Sequence, residues 1–418
     1  MYLVFYNRLK NEKADPLVFK NNIYKKVLPM NRVLLAFIAL LPLHPSFAQE
    51  WTEEMVIERA LAHYPGIRLT ELEIIKQRAL ERTAFNPSQP RFEIEAPTDV
   101  GTGFEVEQEF DWPGVYTARS KWLQSQTSFS EASAIIARNE LIRDVRLTFL
   151  EAQIAEATVD QLHMQDSLWN EISERSQRLY DAGEINRADL VRAQKESSLR
   201  KVALLKGQLE YDSRTAALRN YTGEHIRNFP PPDQYEPIRG MKNLPLYETY
   251  SQNLIEVERR QLALNQARRW PGLIIGYLKA PEPETAYRNR YKAGITIPIW
   301  QGQYRGEVEV AKISIEQKQV ESRQVSMNAL IEKERWENIL NQTAQIIGIF
   351  EKEVLPQSDK LYETYLRLYD AGEMDYALTL RNISDSFAGT LEYLEALQMH
   401  NQAVVHLDYL NQTFTGNE

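Results

Sequence analysis

Five glutamates set at every second position are the residues of this chain best placed to act together. Arg91-Phe92-Glu93-Ile94-Glu95-Ala96 alternates strictly, and so does Phe104-Glu105-Val106-Glu107-Gln108-Glu109-Phe110-Asp111-Trp112. In a strand, successive side chains face opposite sides. Phe92, Ile94, Phe104, Val106, Phe110 and Trp112 then share one face, and Glu93, Glu95, Glu105, Glu107 and Glu109 share the other. Crowded carboxylates repel, whereas carboxylates around wide water favour cations. A hydrated wall without ion preference and a soluble sheet with one wet face are the plainer readings of the same pattern.

Other chemistry is sparse. There are no cysteines, which excludes disulfides, thiolate metal sites and a cysteine nucleophile. The chain carries no Walker A loop, no His-Glu-x-x-His and no Gly-x-Ser-x-Gly elbow. His44, His63, His163, His225, His400 and His406 show no tight ligand spacing. His163-Met164 and Met399-His400 are neighbours in sequence, so on a helix they do not share a face. No enzyme, metal site or cofactor is expected.

Composition narrows the class. Of 418 residues, 26% are charged and 43% hydrophobic, as in a folded protein. The 17 glycines and 19 prolines are few for an all-β fold. Residues 30–48, MNRVLLAFIALLPLHPSFA, combine Arg32, the apolar stretch Val33 to Leu43 and a small-x-small site at Ser46-Phe47-Ala48, and read as a secretory signal peptide. Residues 1–29 precede the alternative start Met30 and are set aside with it, so 1–48 is treated as extension plus signal peptide. That segment holds seven Lys/Arg and two Asp/Glu, +5 in all, so the formal charge of the remainder is −9 − 5 = −14. An acidic chain argues against a nucleic-acid partner. No later apolar run approaches the ~20 residues of a transmembrane helix.

The glutamate faces need elements to hold them, and these occur twice. Arg178-Leu179-Tyr180-Asp181-Ala182-Gly183-Glu184 recurs unchanged as Arg367-Leu368-Tyr369-Asp370-Ala371-Gly372-Glu373. Trp112, Gly114 and Tyr116 likewise match Trp300, Gly302 and Tyr304. The duplication predicts a first repeat over 49–227, with a β-hairpin at about 90–112 and a helical hairpin at 115–222. Proline-rich 228–246 is a linker or equatorial segment. A second repeat covers 247–418, with a β-hairpin at about 272–300 and a helical hairpin at 303–411. Tyr64-Pro65 is expected to close an early helix. Val115 to Ala182 lacks proline and glycine, and one helix there would reach about 100 Å. A kink is expected near Pro356. Leu147, Leu150, Ile154, Ala157, Leu168, Ile172 and Leu179 recur at coiled-coil spacing. Gly183 and Gly372 suit the left-handed position after a helix and mark two tips.

The second strand pair is less regular. Gly272 to Ala280 is nearly all apolar, Pro281 to Arg290 reads as a polar outward loop, and Gly294 to Trp300 reads as the last strand, with Pro298 awkward inside it. Four strands cannot close a barrel, which needs about eight, and open edges are not viable in lipid. An apolar face turned to hydrocarbon therefore calls for an oligomer.

Together these features resemble the TolC-like outer-membrane efflux proteins over about 50–415. The likeness rests on the duplicated plan, the proline-flanked strand pairs and the Tyr-x-x-Gly turns at Tyr180/Gly183 and Tyr369/Gly372. Phe110-Asp111-Trp112-Pro113-Gly114 and Ile297-Pro298-Ile299-Trp300-Gln301-Gly302 resemble the strand-to-helix joins of its heavy-metal branch. The resemblance implies a mainly α fold with membrane β: a homotrimer forming a twelve-stranded outer-membrane barrel above a periplasmic coiled-coil tunnel. It implies a passive export conduit for small molecules or metal cations, served by a periplasmic adaptor and an inner-membrane pump. It places a gate at Tyr180, Gly183, Asp189, Tyr369, Gly372 and Asp375, with Asp375 standing in because the matching position holds Leu378. It places adaptor contacts at Arg178, Asp181, Glu184, Arg367, Asp370 and Glu373, and the barrel lumen at Glu93, Glu95, Glu105, Glu107 and Glu109. A type I secretion channel, or a periplasmic coiled-coil adaptor or scaffold, is the alternative.

Overall fold

The structure is a computed structural model. It describes residues 50–96, 101–237, 245–280, 289–299, 301–370, 382–383, 385 and 387–411. The signal-peptide expectation for 30–48, Trp300 and the second tip at 371–381 lie outside the described residues.

Helix α1 (Glu53–His63) is followed at once by α2 (Pro65–Glu81). Pro65 occupies the first turn of α2, where its missing N–H costs nothing. The proline therefore restarts the helix that it was expected only to close. Strands β1 (Arg91–Glu95) and β2 (Gly103–Phe110) lead into α3 (Pro113–Asp181), one continuous helix of 69 residues. Then come α4 (Arg187–Thr222), α5 (Pro245–Ala267), β3 (Gly272–Lys279), β4 (Asn289–Thr296) and α6 (Gln301–Ile349). A single π-helical turn, Phe350–Val354, joins α6 to α7 (Leu355–Asp370), and α8 spans Ala388–Asn411. The expected disturbance near Pro356 thus takes the form of a π turn just before it, a known way to absorb a break in the hydrogen-bond ladder.

The last strand departs from expectation. It begins at Asn289 and ends at Thr296, so Arg290, assigned to the loop, and Tyr291 to Ala293 are strand residues. Ile297, Pro298 and Ile299 lie beyond it, because a proline cannot donate to the ladder.

The chain forms two compact units. Among the described residues, one comprises those up to Ala60 with those of Val145–Glu236 and Ile339–Ala403; the other comprises those of Leu61–Asp144, Pro237–Asn338 and Val404–Asn411.

In the first unit, Leu150, Ile154 and Ala157 pack with Ile347, Leu394, Ala396 and Leu397. These three α3 residues belong to the three-four series read from the sequence. Further along α3, Leu168, Ile172 and Leu179 surround a buried group of Trp169, Ala193 and Ile383.

The proline-rich stretch is irregular in backbone up to Glu236, yet it is no loose linker. Phe229 is buried edge-on against Phe149, with ring centroids 5.2 Å apart. Its N–H donates to Glu156 at 2.9 Å. Burial raises the Glu156 pKa, and the Phe229 N–H opposes that. Asn401, fully buried, accepts from the Tyr235 N–H at 2.9 Å and donates to the Asp233 carbonyl at 2.8 Å. The beginning of the stretch is thus a strap sewn to α3 and α8 through its own backbone.

The second unit holds the sheet with α2, α5, most of α6 and the beginning of α3. All four strands form one antiparallel sheet in the order β1-β2-β3-β4. At the end of α8, the Tyr247 and Tyr409 hydroxyls lie 2.8 Å apart, and His406 stacks on Trp336 at 4.1 Å.

Candidate functional site

Register assigns every strand residue to a face. Phe92 pairs with Val106, Ile94 with Phe104, Val106 with Tyr277, Phe110 with Leu273, Tyr277 with Tyr291 and Leu273 with Ile295. These side chains form a largely apolar face, which Gln108, Lys279 and Asn289 share by register, and the second unit leaves much of it uncovered: Phe92 is 61% exposed, Ile94 65%, Ile295 64% and Tyr291 90%. Aromatic rings run along it. Phe104 lies 6.1 Å from Phe92 and 5.8 Å from Tyr277, which lies 5.6 Å from Tyr291. At the opposite end of the strands, exposed Trp112 and Trp270 stack at 6.2 Å. Aromatics at both ends of an apolar band are the pattern of a lipid-facing wall.

The other face carries Glu93, Glu95, Glu105, Glu107 and Glu109 together, as the alternation predicts. Glu93 sits directly opposite Glu105, an arrangement that is repulsive by itself. Three cations share this face, and the sequence reading missed them as partners. Arg91 lies opposite Glu107 and donates from Nε to Glu93 at 2.9 Å. Lys292 bonds both Glu105 and Glu107. Arg290 lies across from Leu278, itself across from Glu105. Five carboxylates and three cations leave a net −2 per chain on this face, less than the glutamates alone suggest. The signal was present, since Arg290, Lys292 and Gly294 alternate with Tyr291, Ala293 and Ile295, but the polar composition of 281–290 made a loop the simpler reading.

Among the described residues, the outer edges of β1 and β4 have no strand partner. Unpaired edges of this length need covering or pairing. No helix among the described residues is long and apolar enough to cross a membrane, which says nothing of strands. No group of three metal-ligating side chains occurs among the described residues.

The first tip is fully described. Gly183 adopts φ +78°, and the Glu184 N–H returns to the Leu179 carbonyl at 2.8 Å while the Gly183 N–H returns to Tyr180 at 2.9 Å. That is the six-to-one and five-to-two pattern of a Schellman cap. Asn186 then caps α4: its side chain accepts from the Asp189 N–H at 3.0 Å and donates to the Asp189 carboxylate at 2.7 Å. Asp189 therefore has a structural task at this turn. Tyr180, Arg178, Asp181 and Glu184 are exposed. In the second repeat, Arg367 pairs with Glu363 at 3.3 Å, one turn earlier on α7. Tyr369 and Asp370 end α7, but their side chains lie outside the described residues, as do Gly372, Glu373 and Asp375.

No protein-family model and no curated protein matches the sequence. Solved structures do match in fold. CusC, from a study of folding and transmembrane channel formation, superposes with TM-score 0.72 at 16% identity, over 87% of this chain and 92% of its own. The Campylobacter jejuni CmeC outer membrane channel matches with TM-score 0.70 at 14% identity, over 94% of this chain and 93% of its own. The open state of the Neisseria gonorrhoeae MtrE outer membrane channel matches with TM-score 0.69 at 15% identity, over 86% and 88%. The chain thus has the fold of the TolC-like outer membrane channels along nearly its whole length.

Proposed function

We propose that this chain is an outer-membrane channel subunit of a tripartite efflux system, a passive conduit that reaches into the periplasm. The observation that carries the reading is the sheet: one apolar, aromatic-rimmed face left bare, one charged face, and two unpaired edges. Hydrocarbon suits the first, water the second, and sister copies the third. In this reading three copies supply four strands each to a closed barrel, and the long helices line a tunnel beneath it. The likeness in fold to CusC, CmeC and MtrE supports this assignment over the coiled-coil adaptor or scaffold alternative, which would have no use for a lipid-type sheet.

The exposed first tip, with Arg178, Asp181 and Glu184 around a Schellman turn, is the proposed adaptor contact. Arg367, Asp370 and Glu373 are its proposed counterparts in the second repeat. The proposed gate comprises Tyr180, Gly183, Asp189, Tyr369, Gly372 and Asp375. Opening separates the tips when adaptor and pump dock, and the pump supplies the work. The cargo is small molecules or metal cations moving through a charged, hydrated wall. No catalytic step is required of the chain.

Two measurements test the reading. The purified chain should require detergent and run as a trimer, and it should conduct ions in planar bilayers. A water-soluble monomer would refute it.

A further inference from the structure

We propose that Lys292 sets the ion preference of the charged strand face by holding a positive charge over Glu105 and Glu107. This rests on the reading of that face as a channel wall. Lys292 lies on β4, while the two glutamates lie on β2, with β3 between them. Neighbouring strands are about 4.8 Å apart, so the lysine and glutamate side chains must together bridge roughly 10 Å. Its path is open because the β3 residue between Lys292 and Glu107 is Gly276, paired with both. A Cβ at Gly276 would lie 3.5 Å from the Lys292 Cβ and 3.7 Å from its Cδ, and 3.1 Å from the Val106 carbonyl oxygen. The alkyl stem therefore lies flat over the one β3 position on that stretch without a side chain, and Nζ meets Glu105 at 3.2 Å and the Glu107 carboxylate beside it.

From the other side, Arg91 faces Glu107 across the β1–β2 pair and bonds Glu93. The carboxylates of β2 are thus bracketed by cations from both neighbouring directions. Lys292 is half exposed, and such pairs add little to stability, so its replacement should spare the fold. It should not spare the charge. Two glutamates and one lysine sum to −1; without the lysine they sum to −2. Fixed charge along a pore wall determines which ions enter.

The test is the reversal potential of the purified full chain in planar bilayers under a potassium chloride gradient. Lys292→Gln should raise the potassium-to-chloride permeability ratio roughly tenfold, because one unit charge met at about 6 Å in water changes the Boltzmann weights of potassium and chloride by about threefold each, in opposite directions. Lys292→Arg should leave the ratio as in the parent chain. Adding Glu105→Gln and Glu107→Gln to Lys292→Gln should abolish the gain. If Lys292→Gln does not insert, the Glu105→Gln/Glu107→Gln pair in the parent background shifts the same charge with opposite sign, and should lower the ratio by at least tenfold. An unchanged ratio in Lys292→Gln, or in that pair, overturns the proposal while leaving the channel reading intact. A parent chain that does not conduct overturns both.

Discussion

If the sheet is the wall of a membrane channel, moving one lysine by a single residue along β3 takes it from hydrocarbon to water. Ile275 lies opposite Gln108 and Ala293 on the apolar face, whereas Ile274 lies opposite Glu109 and Gly294 on the charged face. Ile275 is the fourth of eight residues in β3, near the middle of the band, and is 51% exposed. Full burial of an isoleucine contributes about 1.5–3 kcal/mol, so roughly half of that depends on what covers the face. A lysine at the bilayer midplane of a strand adds a cost of about 2–4 kcal/mol. Ile275→Lys should therefore destabilise the inserted chain by about 3–5 kcal/mol. At Ile274 the ammonium would meet water and Glu109, and the cost should stay within about 1 kcal/mol. Urea titration of folding into vesicles, with the oligomeric state followed on gels, measures both. If the sheet were a soluble one, both changes would fall within about 0.5 kcal/mol, as at ordinary surface sites. An Ile274→Lys cost equal to or above that of Ile275→Lys would refute the face assignment.

Other outcomes follow from the packing. Asn401→Ala leaves the Tyr235 N–H and the Asp233 carbonyl without the side chain that holds them; it should cost about 2–3 kcal/mol and speed amide exchange selectively over 229–236. Gly183→Val places a β-branched residue at φ +78°; it should cost about 1–2 kcal/mol locally and raise proteolysis near 180–186, and equal proteolysis would remove the strain argument. His406 has its pKa lowered to about 4, first by burial and then by Arg143. Its neutral form is the one the fold prefers, so its contribution is complete above the unfolded value near 6.5 and is lost as the pH falls from there towards 4. Melting temperature should therefore drop between pH 7 and 5, by an amount worth about 1–2 kcal/mol after allowing for its partial exposure, and His406→Phe should flatten that slope.

Much of this molecule was legible in one dimension because its elements are periodic. A two-residue period is enough to sort Glu93, Glu95, Glu105, Glu107 and Glu109 from Phe92, Ile94, Phe104 and Val106, since pleating alone decides those sides. A run of 67 residues from Val115 to Asp181 without proline or glycine allows little but helix, and it is helix throughout. Gly183 announced its turn because only a residue without Cβ takes that φ cheaply. What tertiary structure alone decided is pairing at a distance. Nothing local says that the hairpin of the first repeat joins that of the second through β2 and β3, nor that Asp233 and Tyr235 are sewn to Asn401. Those partners lie more than 160 residues apart, and only the packed chain chooses among the alternatives. Lys292 depends on that choice most directly: its reach to Glu105 and Glu107 exists because the register of three strands sets a bare Gly276 between them.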